Sequence, residues 1–190
     1  REMELDLRAA VDPYVNAVGI LAVAAEIPGE YEVEVEEFYA SIKSLPLPGW
    51  ETPPLGTQVK IGRFRTEFGL GNRSHLHDLP QSDRPLAVDE FLGPDGHVAN
   101  GISFTSFLPS PGETALQATG QIVQGGGIGV AQDERHFAYL LNVSCYLPLT
   151  DAQSLTVNLI GFQGINDPDG HDRSRVGSIE CLYRWKPLLL

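Results

Sequence analysis

A cadence of alternating runs split by turn residues limits this chain more than any other feature. From Glu30 the period is two: Tyr31, Val33 and Val35 alternate with Glu32, Glu34 and Glu36, one side apolar and one wet. With Glu30–Ile42, the runs Thr57–Gly69, Leu86–Leu92, His97–Leu108, Thr114–Gln124, His136–Leu147, Ser154–Phe162 and Val176–Trp185 predict eight strands. Turn chemistry separates them: Gly93-Pro94-Asp95-Gly96, Pro109-Ser110-Pro111-Gly112, Gly125-Gly126-Gly127 and Asp167-Pro168-Asp169-Gly170. The 20 Gly and 14 Pro supply those turns and disfavour a helical bundle. An apolar fraction of 42% excludes a disordered chain. The fold class expected is all-β: an eight-stranded antiparallel up-and-down β-barrel, which leaves no sheet edge and has room for one small ligand.

The front of the chain reads differently. Asp12-Pro13 predicts a helix start, an acceptor followed by Pro, with a helix from Pro13 to about Ala25 ended by Pro28-Gly29. Its non-apolar positions are Asn16, Gly19 and Glu26, so it must be covered. The expected organisation is a helical lid over residues 1–29 and a β-barrel over 30–190. The apolar stretch Tyr14–Ile27 is short of the ~20 residues of a membrane helix. Glu2, Glu4, Asp6 and Asp12 outweigh Arg1 and Arg8 before it, unlike a secretory leader. A soluble, cytoplasmic protein is expected. The net charge of −12 argues against nucleic-acid and anionic-membrane partners, which need clustered Lys and Arg.

Parity sorts the strand residues. Phe137, Tyr139, Leu141, Val143, Cys145 and Leu147 share one face, as do Leu155, Val157 and Leu159, and Ile179, Cys181, Tyr183 and Trp185. These are expected inside, with both cysteines reduced. Asn142, Ser144, Thr156, Asn158, Ser178, Glu180 and Arg184 fall on the other face and are expected outside. In Thr114–Gln124 two faces compete. If Gln117, Thr119, Gln121 and Val123 point inward, Gln117 and Gln121 are polar groups in an apolar lumen; otherwise they are the wet face.

Catalytic constellations are sparse. Gly69, then His75-Leu76-His77, has the opening of a cupin metal motif, but Gln81 or Ser82 stands where its Glu belongs. A solvated loop is the expected reading there, with no metal and no cofactor. No Gly-x-Ser-x-Gly elbow occurs, and the glycines at 125–127 lack the Lys and Ser/Thr of a phosphate loop. Arg63, Arg65 and Glu67 share a face and Asp89-Glu90 interrupts an apolar run, which suits outward ion pairs or a charged pair at one mouth.

The stretch Val88-Asp89-Glu90-Phe91-Leu92-Gly93-Pro94-Asp95-Gly96-His97-Val98-Ala99-Asn100-Gly101-Ile102-Ser103-Phe104 resembles the strand–turn–strand of allene-oxide-cyclase-type barrels. The order of elements over Leu86–Leu190 resembles the bacterial spirotetronate and spirotetramate [4+2] cyclases (Diels–Alderases), nearest to those of the pyrroindomycin type, in which an N-terminal segment caps the barrel. The resemblance implies a cofactor-free cyclisation of a polyketide-derived substrate in antibiotic biosynthesis, driven by orientation in a dry pocket. It implies Gln117 as the catalytic polar group. Gln121, Phe137, Tyr139, Tyr183 and Trp185 would line the pocket, with Tyr14 and Val18 on the lid helix. It also allows a homodimer, with no strand marked as the interface. The competing functions are a lipocalin-like carrier of an apolar small molecule and a cupin-like metalloenzyme.

Overall fold

The computed structural model describes residues 2–27, 30–44, 48–73, 86–93, 96–124, 136–165, 169 and 171–186. Nine strands follow one another in a single antiparallel sheet, each paired to its sequence neighbours. They are β1 (Glu2–Ala10), β2 (Val15–Ile27), β3 (Glu30–Ile42), β4 (Gln58–Arg65), β5 (Val98–Leu108), β6 (Ala115–Gln124), β7 (Phe137–Thr150), β8 (Gln153–Ile165) and β9 (Arg173–Trp185). The all-β, up-and-down class is as expected. The closed eight-stranded barrel is not: there are nine strands, and β1 and β9 are the two ends of an open sheet among the described residues.

The N-terminal helical lid is also overturned. Residues 15–27 form β2, and the acidic leader forms β1 beside it, in register from Glu2↔Ala24 to Ala10↔Asn16. Asp12 does accept backbone N–H groups, from Tyr14 and Val15, both at 2.7 Å. This arrangement turns the chain back as a hairpin instead of opening a helix. Val15, Val18, Ile20 and Val23 are β-branched and suit a strand. The strand is apolar on both sides because Ile20 and Ala22, on the second side, are themselves buried.

One expected strand is a helix. Leu86–Leu92 forms α2. Val88 and Leu92, four apart, turn one stripe inward, Val88 buried and Leu92 packed on the core. Gly93 ends it: at φ +85 its N–H reaches the carbonyl of Asp89 at 2.8 Å. The other six expected strands, and Glu30–Ile42, are strands near where the cadence put them, the run Thr57–Gly69 ending early at Arg65.

Register divides the sheet into two faces. On one lie Met3, Leu5 and Leu7 (β1), Leu21 (β2), Val33, Val35 and Phe38 (β3), Ile61 (β4), Ile102 and Phe104 (β5), Ile122 (β6), Tyr139 and Leu141 (β7), Leu159 (β8) and Ile179 and Tyr183 (β9). All but Leu21 are strongly exposed. The opposite face holds the core: Phe64, Ala99, Val123, Ala138, Leu140, Ile160 and Phe162, joined by Phe68 from the segment after β4. Around that core sit buried Ser103, Thr119, Gln121, Asn142 and Asn158. The sheet is therefore inside-out relative to the sequence expectation. The apolar parities of β7, β8 and β9 face outward, and the buried side carries both the hydrophobic core and the polar groups expected outside.

Candidate functional site

The buried face is concave, and a short strap shows why. β4 and β9 lie five inter-strand steps apart, about 24 Å across a flat sheet. The four residues from Arg65 to Gly69 span at most ~14 Å. Yet the Leu70 N–H donates to Glu180 Oε2 on β9 at 2.8 Å. A glutamate side chain adds only a few ångströms, so the sheet curls around the strap.

Thr66–Arg73, ending in the short helix α1 (Leu70–Arg73), is tied strand by strand. The Glu67 N–H donates to Gln121 Oε1 on β6, and Asn142 Nδ2 on β7 donates to the Glu67 carbonyl, each at 3.0 Å. Asn158 Nδ2 on β8 donates to the same Glu180 Oε2 at 3.4 Å. Gln121 Nε2 donates to Ser103 Oγ on β5. Phe68 meets Phe162 edge-on with ring centres 6.2 Å apart. At its base, buried Asn72 Nδ2 donates to the carbonyls of Thr66 and His97, and its Oδ1 accepts the His97 N–H at 2.7 Å. That fold-back keeps the strap compact. Glu67 and Arg73 form an ion pair within it.

A second charged cluster sits where β3 and β4 part. Their ladder runs only from Phe38↔Arg63 to Ile42↔Val59. Above it, Arg63 Nε donates to the Val35 carbonyl at 2.9 Å. Arg65, 7% exposed, lies 3.4 Å from Glu36 and 3.8 Å from Glu37. Two carboxylates against one buried guanidinium offset its desolvation. Nearby, burial first and the Glu37 carboxylate second push the Tyr39 phenol up, so it stays protonated. Lys60 Nζ lies 4.6 Å from the Tyr39 ring centre.

His97 joins the strap to the core. Its Nδ1 lies 3.1 Å from Thr66 Oγ1, and its ring meets Phe162 edge-on at 5.9 Å. Burial pushes it from its ordinary 6.5 down to about 4. The unfolded chain therefore takes up a proton that the folded one refuses. Between pH 6.5 and 4 stability falls as pH drops, by up to ~3 kcal/mol in all; above 6.5 the group contributes no slope. Urea unfolding between pH 4 and 8 checks this, and His97→Gln is expected to flatten that part of the profile.

The structure does not assemble the expected pocket. Gln117 and Gln121 lie on the concave face, Gln121 buried and Gln117 half-buried. Phe137, Tyr139, Tyr183 and Trp185 lie on the outer apolar face and are exposed. Gln117 and these aromatics are on opposite sides of one sheet. Tyr14 sits in the β1–β2 turn, where its carbonyl accepts the Lys43 N–H. Val18 is on the concave side of β2, above a hollow of about 350 Å³ shared with Tyr39, Ser41 and Lys60. A wider depression of about 900 Å³ lies on the apolar face, lined by Leu7, Ala17, Gly19, Leu21, Val35 and Phe38. Cys145 is half-buried and Cys181 exposed, both on the apolar side.

His75 and His77 lie outside the described residues, as do the glycines at 125–127. Among the described residues no three His, Cys, Asp or Glu side chains gather as metal ligands. Among them, too, no helix is long and apolar enough to cross a membrane. Asn142, Asn158 and Glu180 were expected on the wet side. The signal that places them was the same parity, read with the faces reversed.

The geometry so far defines a curled antiparallel meander whose strapped concave face holds a hydrophobic core ringed by buried polar side chains, and whose outer face is apolar and exposed. An uncharacterized protein of Aquifex aeolicus (strain VF5) is 36% identical over 123 residues, which are 64% of this chain and 23% of that protein. The chain thus spans less than a quarter of that relative. No family model and no solved structure matches the chain.

Proposed function

We propose that this chain builds a length of the wall of a membrane-spanning β-barrel, its apolar face against lipid and its polar face toward an aqueous lumen. The observation that carries the reading is the inversion of the sheet. Nine strands about 4.8 Å apart, over a band roughly 25 Å tall, present on the order of 1,000 Å² of apolar surface. Proteins in water rarely leave more than a few hundred Å² contiguous. Moving such a face into hydrocarbon is worth about 25 kcal/mol at ~25 cal/mol/Å².

Further features agree. Eight of the nine strands meet or exceed the ~9–11 residues a tilted strand needs, all but the 8-residue β4. Amphipathic aromatics stand near both ends of the outer band: Tyr31 and Tyr139 at one, Tyr183 and Trp185 at the other. Between them runs an aliphatic row, Val143, Leu159 and Ile179. This is the arrangement of interfacial girdles around a hydrocarbon zone. On β1, Glu4, Asp6 and Arg8 share the concave parity while Met3, Leu5 and Leu7 share the outer one; the outer-parity cations Arg63, beside Phe38 and Asn100, and Arg175, in line with Tyr139 and Gln163, lie toward one end of the band. The proposal departs from the expectation of a soluble, cytoplasmic protein without a membrane partner: the net charge of −12 disfavours binding to anionic headgroups, and a wall that crosses with strands needs no Lys/Arg cluster.

A wall in lipid tolerates no open edge, so the sheet closes on insertion, on itself or with added strands. In a nine-stranded meander β1 and β9 run the same way, so joining them would make a parallel seam. An odd number of added strands restores antiparallel pairing throughout. The Aquifex relative, of which the match is 23%, has length for such strands. The cyclase reading needs Gln117 and the aromatics in one dry pocket under a lid, and no observation favours it here.

The test is vesicle insertion. Protein refolded from urea into phosphatidylcholine vesicles is expected to float with them and to resist carbonate extraction. A monodisperse species in detergent-free buffer that stays with the aqueous phase would overturn the proposal, and would point to two such sheets packed face to face.

A further inference from the structure

We infer that the strap Thr66–Arg73 is the constriction of an aqueous pathway for ions and small hydrophilic solutes, and that Glu180 is the residue that positions it. The inference rests on the membrane-barrel reading above. It adds what the lumen does and which residues set its width.

Three observations point the same way. The strap runs across the concave face and not along its rim, held from β6, β7 and β9 by Gln121, Asn142 and Glu180. Every one of those ties goes to strap backbone, so the wall fixes where the strap lies and leaves the Glu67 and Arg73 charges to each other. Second, Asn142 Oδ1 and Asn158 Oδ1, on residues 1% and 0% exposed, have no hydrogen-bond partner among the described residues. Neither oxygen touches the bulk solvent, so each needs a donor held between strap and wall, a place for an ordered water. Third, Gly69 stands against Glu180 at φ +81, and a Cβ there would run into the carboxylate. The left-handed backbone favours glycine there, and a larger residue must push the Glu180 carboxylate off the Leu70 N–H.

Single-channel current in planar bilayers tests this with the refolded protein. Glu180→Ala removes the acceptor of the Leu70 N–H, and Gly69→Val displaces the Glu180 carboxylate from it and strains the strap at a positive φ. Each is expected to raise unit conductance in KCl at least about twofold, because the narrowest segment limits the current. Glu180→Gln keeps an acceptor oxygen and is expected to conduct like the parent, which a general loss of structure would not allow. Glu67→Cys, with Cys145 and Cys181 replaced by Ser, is expected to lose current when a charged methanethiosulfonate is added from the water phase. Parental conductance in both Glu180→Ala and Gly69→Val, or no thiol block at position 67, would overturn the inference. A parent that inserts but passes no current would overturn it as well while leaving the wall intact. A parent that does not insert contradicts the reading beneath it.

Discussion

Leu159→Arg is expected to cut insertion into phosphatidylcholine vesicles by roughly 30- to 700-fold. Leu159 is 51% exposed and lies in the middle row of the outer face, between Val143 and Ile179. An Arg at the midplane of a barrel's lipid face costs ~2–4 kcal/mol, and each 1.4 kcal/mol is tenfold. The sign of the result separates the two solvents. If water bathes Leu159, replacing an exposed Leu by Arg changes stability by no more than about 0.5 kcal/mol and improves solubility. Gln117→Arg, on the concave side, is the matched control and is expected to insert like the parent. Fractional flotation against lipid concentration reads both. Equal insertion by Leu159→Arg and the parent would remove the lipid face.

The second large effect contrasts one residue type on the two faces. Phe64 is 0% exposed and packs among Phe68, Ala99, Val123, Ala138, Leu140, Ile160 and Phe162, with Tyr39 edge-on at 6.5 Å. Phe64→Ala is expected to lower folding stability by about 3–5 kcal/mol, the range for a buried Phe that leaves a cavity. Phe137 is 58% exposed at the start of β7 on the outer face. Phe137→Ala leaves no cavity and is expected to cost well under half as much. Urea titration of the inserted protein measures both. Similar losses would mean that Phe137 is as packed as Phe64 and that the sheet has a second core.

Much of the fold was legible in the sequence. Glu30–Ile42 coincides with β3, and the later strands fall within a few residues of their runs, because period two and turn chemistry are local signals. β1 was legible too: Met3, Leu5 and Leu7 alternate with Glu4, Asp6 and Arg8, yet the acidic side drew attention as a leader. β2 was not legible by period, since both of its sides are apolar. Its outer side meets the exterior, while Ile20 and Ala22 turn into the buried one. Asp12-Pro13 misled because a hairpin turn and a helix start use the same acceptor.

The faces were reversed for a physical reason. Parity says which residues share a side, and the choice of side assumes a solvent. With water outside, Phe137, Tyr139 and Leu141 go in and Asn142, Asn158 and Glu180 go out. With hydrocarbon outside, the same parity gives the structure observed. In Thr114–Gln124 the pattern allows both orientations, and the polar option, with Gln121 buried and Gln117 half-buried on the same side, is the observed one. The strap lay beyond sequence reading. Its partners, Gln121, Asn142 and Glu180, are separated from it by 54, 75 and 110 residues and meet it only because the sheet curls.

A nitroxide scan along β9 tests the central claim most directly. Single cysteines from Ser178 to Tyr183, with Cys145 removed and Cys181 retained only as its own site, carry the label in the vesicle-inserted protein. Labels at 179, 181 and 183 are expected to relax with oxygen dissolved in the lipid, and those at 178, 180 and 182 with a water-soluble nickel chelate, in strict alternation. The reverse phase, or water exposure at 179, 181 and 183 with no contact to lipid oxygen, would contradict the account.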